Sequence, residues 1–130
     1  MGIVSRLERL LDSVILIDHF NGLPQATQFI SGLNPEATAI SVITLAEILV
    51  GFDKETGKKA RALIDQYALL AIDGPIAEKA ASLRRRFGLK LPDAFQAALA
   101  IQYNLRLTTR NTRDFDPGKY PFVEIPYKLS

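Results

Sequence analysis

Short apolar runs alternating with longer helical patterns constrain this chain more than any other feature. Ala37-Thr-Ala-Ile-Ser41 and Ala68-Leu-Leu-Ala-Ile72 read as buried strands, as do Leu105 to Thr108 and Phe122 to Ile125. Between them, Asn21-Gly22 marks a turn and Pro24 opens a helix that repeats Ala26, Phe29, Ile30 and Leu33 at helical spacing. Val42 to Val50 is too continuously apolar for a half-exposed strand and reads as helix, ended by Gly51. Lys54 to Tyr67 places Ala60, Leu63 and Ile64 on one face of an amphipathic helix. Ile76, Ala80, Leu83 and Phe87 line another helix, with Gly88 as its stop, and Pro92 opens a last one through about Tyr103. Strands that alternate with helices predict a parallel sheet covered on both faces, an α/β fold.

The front of the chain has two readings. Leu10-Leu11 ends a first strand at Asp12, or the strand runs on through Ile17 to Asp18. At 130 residues, with 48% hydrophobic and 23% charged side chains, the chain has material for one core, so residues 1–130 are expected to form a single domain. About residues 1–8 are expected to be a loose N-terminal extension. Val14 to Ile17 is too short to span a bilayer, and the expectation is a soluble, cytoplasmic protein with no membrane contact.

The absence of cysteine excludes thiol chemistry and Cys-based zinc sites, and a lone histidine, His19, makes a Ser-His-Asp triad a poor fit. Chemistry is left to carboxylates, hydroxyls, amides and basic side chains. Ligands of an open parallel sheet bind beyond the carboxyl ends of its strands. Asp12, Glu47, Asp93 and Asp114 all fall at strand ends or early in helices and are the candidate site. Each also has an ordinary reading. Asp12 fits an N-cap and Thr44-Leu-Ala-Glu47 a capping box; Asp93 after Pro92 suits a helix start, and Asp114 a turn. Taken together they repel, and each would take up a proton unless a cation were present. An all-oxygen set of that density suits Mg²⁺ or Mn²⁺, and such metals activate water against phosphodiesters.

Leu11-Asp-Ser-Val-Ile-Leu-Ile-Asp-His19, Ile40-Ser-Val-Ile-Thr-Leu-Ala-Glu-Ile-Leu49, Leu91-Pro-Asp-Ala94 and Thr109-Arg-Asn-Thr-Arg-Asp-Phe115 resemble the signature blocks of PIN-domain proteins, above all the VapC-type toxins of bacterial toxin–antitoxin pairs. The resemblance covers nearly the whole chain. It implies a Mg²⁺- or Mn²⁺-dependent endoribonuclease that is neutralised by a cognate antitoxin and pairs into homodimers. It assigns the metal-binding, catalytic acids to Asp12, Glu47, Asp93 and Asp114, with Ser13, Thr109 and Asn111 in support. The family's first block often reads Asp-Thr-Asn; here Asp12-Ser13-Val14 lacks that asparagine. Asp12 is preferred to Asp18 because residues 13–19 match the family's first helix.

Arg110 and Arg113 flank Asp114 and are the expected RNA phosphate contacts, with Lys119 close by in sequence. Arg84-Arg85-Arg86 with Lys90 fits the positive last turn of a helix. The apolar strip expected to meet a partner chain comprises Phe29, Ile48 and Phe52. Two other functions compete with the ribonuclease. A catalytically silent PIN-like binding module would have no use for a repulsive acid cluster. A phosphoacceptor receiver domain would use Asp73, but no lysine follows a strand where one is needed.

Overall fold

The computed structural model describes residues 6–129. Within them, β1 is Arg9–Leu11, β2 Thr38–Ser41, β3 Ala68–Leu70, β4 Arg106–Thr108 and β5 Val123–Glu124. The helices are α1 Ser13–Phe20, α2 Pro24–Ser31, α3 Val42–Gly51, α4 Lys54–Ile64, α5 Gly74–Phe87 and α6 Leu91–Gln102. The strands form one sheet in the order β3-β2-β1-β4-β5, and every pairing is parallel. This is the α/β architecture expected from the alternating pattern.

Side chains along a strand alternate between faces, and a parallel sheet buries both. Leu10, paired with Ala39 and Leu107, joins the core beneath α5 and α6. Leu11 and Ile40 point the other way, against Ile15 and Leu16 of α1, Ile48 of α3 and Ile64 of α4. Complete burial of Leu10 and Leu11 stabilises the fold by about 2 kcal/mol each.

The ambiguity at the front is resolved by length. β1 stops at Leu11, and Asp12 has extended backbone before α1 begins at Ser13. Asp18 therefore lies on a helix. The expected N-terminal extension falls, for residues 1–5, outside the described residues. Leu7 is buried, the Glu8 N–H donates to the Ala37 carbonyl at 2.7 Å, and the Glu8 carbonyl accepts from the Arg106 N–H at 3.0 Å. Ile48, expected on an outer strip, is fully buried; the exposed apolar side chains of α3 are its neighbours Leu49 and Val50, while Phe29 and Phe52 lie half-buried against the core. A helical face turns by about 100° per residue, so a one-residue step along α3 exchanges core for solvent. Among the described residues, no helix is long and apolar enough to cross a membrane.

The chain builds β1, β2 and β3 outward in one direction and returns to place β4 and β5 on the other side of β1. The reversal lies between β1 and β4, where the segments leaving the two strands diverge and open a crevice. Asp12 and Thr109 follow those two strands directly.

Candidate metal centre

Asp12 is fixed from several sides. Its Oδ1 accepts from the Ser13 N–H at 2.9 Å and, more loosely, from the Gln96 amide at 3.4 Å, while its Oδ2 accepts from the Thr109 hydroxyl at 2.8 Å. Burial pushes its carboxyl pKa up and the Asp114 charge adds to that, while Thr109, Gln96 and Ser13 work against the rise. The ordinary reading of Asp12 as an N-cap is correct as local structure. It leaves the long-range donors from α6 and the β4 loop unexplained.

Glu47 is not part of a capping box. Ser41 is the N-cap of α3, and its Oγ accepts from the Thr44 N–H at 3.1 Å, so Glu47 lies a turn further on. Its pKa is raised by partial desolvation and then by the Asp12 charge, against a hydrogen bond from the buried Ser13. Asp93 sits in the first turn of α6. Desolvation, then Asp114 and Asp12, push its pKa up to about 6; Lys90 opposes the rise and Glu47 adds to it. Asp114 is oriented by Asn111, whose Nδ2 donates to its Oδ2 at 2.8 Å and whose Oδ1 faces its N–H at 3.4 Å. The Asn111 N–H in turn donates to the Thr109 hydroxyl oxygen at 3.1 Å. The Asp114 charge acts on Asp12 and Asp93, and the Asp12 charge on Glu47 and Asp93, so the four acids lie within one another's electrostatic reach. Residues 109–111 hold two of them at once.

Two sequence expectations separate here. Arg110 has turned to Asp18, donating to Oδ1 at 2.9 Å from Nη2 and to Oδ2 from Nε, while the Tyr127 hydroxyl donates to Oδ2 at 2.8 Å. This cluster holds the Asp18 carboxyl below its ordinary range, first through the Arg110 hydrogen bond. Asp18 is thus already neutralised, and Arg110 is engaged at one edge of its fork rather than open to a phosphate. Arg113 is exposed beside Asp114. His19 bonds Thr27 at 2.9 Å and packs on Phe20. Asp73 accepts from the Ile76 N–H at 3.0 Å as the N-cap of α5, which accounts for it without a phosphoacceptor role.

Gln96 is the functional neighbour that sequence reading missed. It is 2% exposed, and its Nε2 donates to the Thr44 hydroxyl at 2.9 Å as well as facing Asp12. Its Oε1 has no hydrogen-bond partner among the described residues. Exchanging amide O and N would turn that oxygen onto the Asp12 carboxylate, so an ionised Asp12 fixes the orientation. The available signal was its spacing: Gln96 is three residues after Asp93, on the same side of α6.

Among the described residues, no three acidic or imidazole side chains stand close enough to grip an ion directly. The donor set is nevertheless all carboxylate oxygen, with neither imidazole nor thiolate near it. Mg²⁺ retains several waters and takes one or two protein carboxylates at a time, so a hydrated hard cation fits these residues.

The strand order and the helices define an open α/β protein, with Asp12 at the point where that order reverses and Glu47, Asp93 and Asp114 within electrostatic reach of it or of one another. The sequence pattern of the PIN domain family matches residues 9–117, and the chain belongs to that family. It is 29% identical over 126 residues to Ribonuclease VapC19 of Mycobacterium tuberculosis, a match that covers 92% of this chain and 99% of that protein. A chain in a toxin–antitoxin complex from Klebsiella pneumoniae superposes with a TM-score of 0.86 at 38% identity, covering 94% of this chain and 100% of that one. A DNA-bound VapBC structure from Salmonella typhimurium shares the fold, with a TM-score of 0.73 at 23% identity over 94% of this chain and 98% of that one.

Proposed function

We propose that the chain is a VapC-type toxin, an endoribonuclease that cuts RNA phosphodiester bonds with Mg²⁺ or Mn²⁺ and is held in check by a cognate antitoxin in the cytoplasm. The observation that carries this reading is the gathering of Asp12, Glu47, Asp93 and Asp114 near the ends of β1 and β4, where burial first, and then the charges of Asp114, Asp12 and Glu47, push the Asp93 pKa up to about 6. A fold gains no stability from such a cluster, whereas a hydrated cation is drawn to four nearby negative charges and takes one or two of the carboxylates as ligands. Asp12, Glu47, Asp93 and Asp114 would hold the metal, which when bound supplies a polarised phosphate and an activated water. Asp12 is the fixed member, its oxygens aimed by Thr109, Ser13 and Gln96. Asp114 is aimed by Asn111, and Glu47 is steadied by Ser13. Asp93 can hold or release a proton close to neutral pH.

The relatives that form toxin–antitoxin complexes support a protein partner. Leu49 and Val50, 42% and 87% exposed on α3, are the apolar side chains that an antitoxin or a second copy of the chain would cover.

The test is cleavage of total RNA by antitoxin-free protein with Mg²⁺, Mn²⁺ or chelator, run beside Asp93→Asn. Metal-dependent cutting that the substitution abolishes supports the ribonuclease. A folded wild type that cuts nothing with either metal refutes it and favours the silent binding module.

A further inference from the structure

We infer that the cleft between the α5–α6 turn and the segment after β4 is a phosphate subsite for single-stranded RNA, which holds the strand on the Asp114 side of the acidic centre. The inference rests on the ribonuclease reading and adds to it where the substrate runs. The cleft has a volume of about 230 Å³, and Asp114, one of the four acids, forms part of its wall. Lys90, Arg113 and Lys119 line it, all exposed. None of the three forms an ion pair among the described residues, whereas Arg110 is engaged by Asp18. Asp116 lines the cleft as well, and its Oδ1 is turned to its own loop, where it accepts from the Gly118 N–H at 2.9 Å; three cations thus face two carboxylates there.

Local geometry shapes this rim. Gly88 ends α5 with a positive φ of 71°, which only glycine adopts freely, and swings the chain so that Lys90 stands at the start of α6. Lys119 Nζ lies 5.7 Å from the Phe87 ring centroid and 5.5 Å from that of Tyr120, which fixes its ammonium at the cleft edge. Three cations that converge beside a metal-binding acid match the next phosphate of a strand whose scissile phosphate lies at the acids. Tyr120 is buried and Phe87 lies beneath cationic side chains, so no ring is free to stack a base. The subsite reads charge, not sequence. A concave cleft between two loops takes a flexible strand, whereas A-form duplex presents its phosphates along a broad, stiff surface.

The test compares Lys90→Gln/Lys119→Gln with Arg85→Gln, a basic change on the exposed end of α5. Binding of a fluorescent single-stranded RNA of about 12 nucleotides is measured against salt in an Asp93→Asn background, which separates binding from cutting. The expected result is affinity lower by about tenfold, with the slope of log affinity against log salt shallower by about 0.7 for each phosphate that is no longer neutralised. The Arg85 change moves neither. In the otherwise wild-type protein, Lys119→Gln alone, which leaves the Lys90 charge in place near Asp93, raises KM on the long RNA, keeps kcat and leaves a dinucleotide substrate unaffected, because it has no second phosphate. Affinity and salt slope equal to those of the Arg85 variant overturn the subsite, as does an equal loss on the dinucleotide. If wild type cuts no RNA with either metal, the ribonuclease reading fails by itself, and the binding arm still decides whether this cleft holds phosphate.

Discussion

Asp93→Asn removes one negative charge from the crevice with almost no change of shape, and the fold should respond by becoming more stable at neutral pH. Raising a carboxyl from its ordinary 3.8 to about 6 corresponds to about 3 kcal/mol of unfavourable surroundings for the charged form. Asp93 is partly open to water, so screening reduces this to about 1 kcal/mol. Because the folded-state pKa lies above the unfolded one, wild type has this stability in full below about pH 4 and loses it as pH rises through about 6. The asparagine variant has no such loss. Urea denaturation of both proteins in chelator should show them close near pH 4.5 and the variant ahead by about 1 kcal/mol near pH 7.5, or about 4 °C in Tm. The alternative, an aspartate that only complements the positive end of α6, predicts the opposite slope, with wild type gaining on the variant by about 0.5 kcal/mol as its carboxyl ionises. A variant that falls behind as pH rises would refute the repulsive-cluster argument.

Added Mg²⁺ should reverse that order: at 100 times its Kd it stabilises wild type by about 2.7 kcal/mol and Asp93→Asn by much less, as a thermal shift would show. Gln96→Leu should remove one donor from Asp12 and the Thr44 partner, lowering stability by about 1–2 kcal/mol. It should also move the acid limb of the pH–rate profile upward, because Asp12 loses a group that favours its charged form. Asp18→Asn should cost about 2 kcal/mol in urea denaturation by leaving Arg110 without its counter-charge, and Tyr127→Phe about 1 kcal/mol. Since the Asp18 carboxyl is held below its ordinary value, its contribution is present above that ordinary value and is lost as pH falls through and below it. The destabilisation by Asp18→Asn should therefore shrink in acid.

How much of this was legible depends on the range of the force involved. The strand and helix order could be read because period and punctuation act between near neighbours: Pro24 and Pro92 stand in first turns, and Gly88 closes α5. The four acids were visible because a parallel α/β chain places strand ends and helix starts on one crevice. Which carboxylate follows the first strand directly was open until β1 proved to stop at Leu11. Glu47 matched a capping box on paper, but Ser41 takes the cap and leaves Glu47 to the crevice. Ile48 and Val50 are equally apolar in sequence, yet one is fully buried and the other 87% exposed, since the helix phase against the sheet decides which faces the core.

The sequence by itself determined the elements, their order, the parallel architecture and a chemistry confined to oxygen ligands and cations. Tertiary structure alone decided which charges are free to act. Asp18 and Arg110, 92 residues apart, cancel one another, and Gln96, 84 residues from Asp12, turns its amide to that acid. Neither pairing leaves a local pattern, because a charge's state depends on what the fold brings within a few ångströms of it, and water screens it from most of what lies further along the chain.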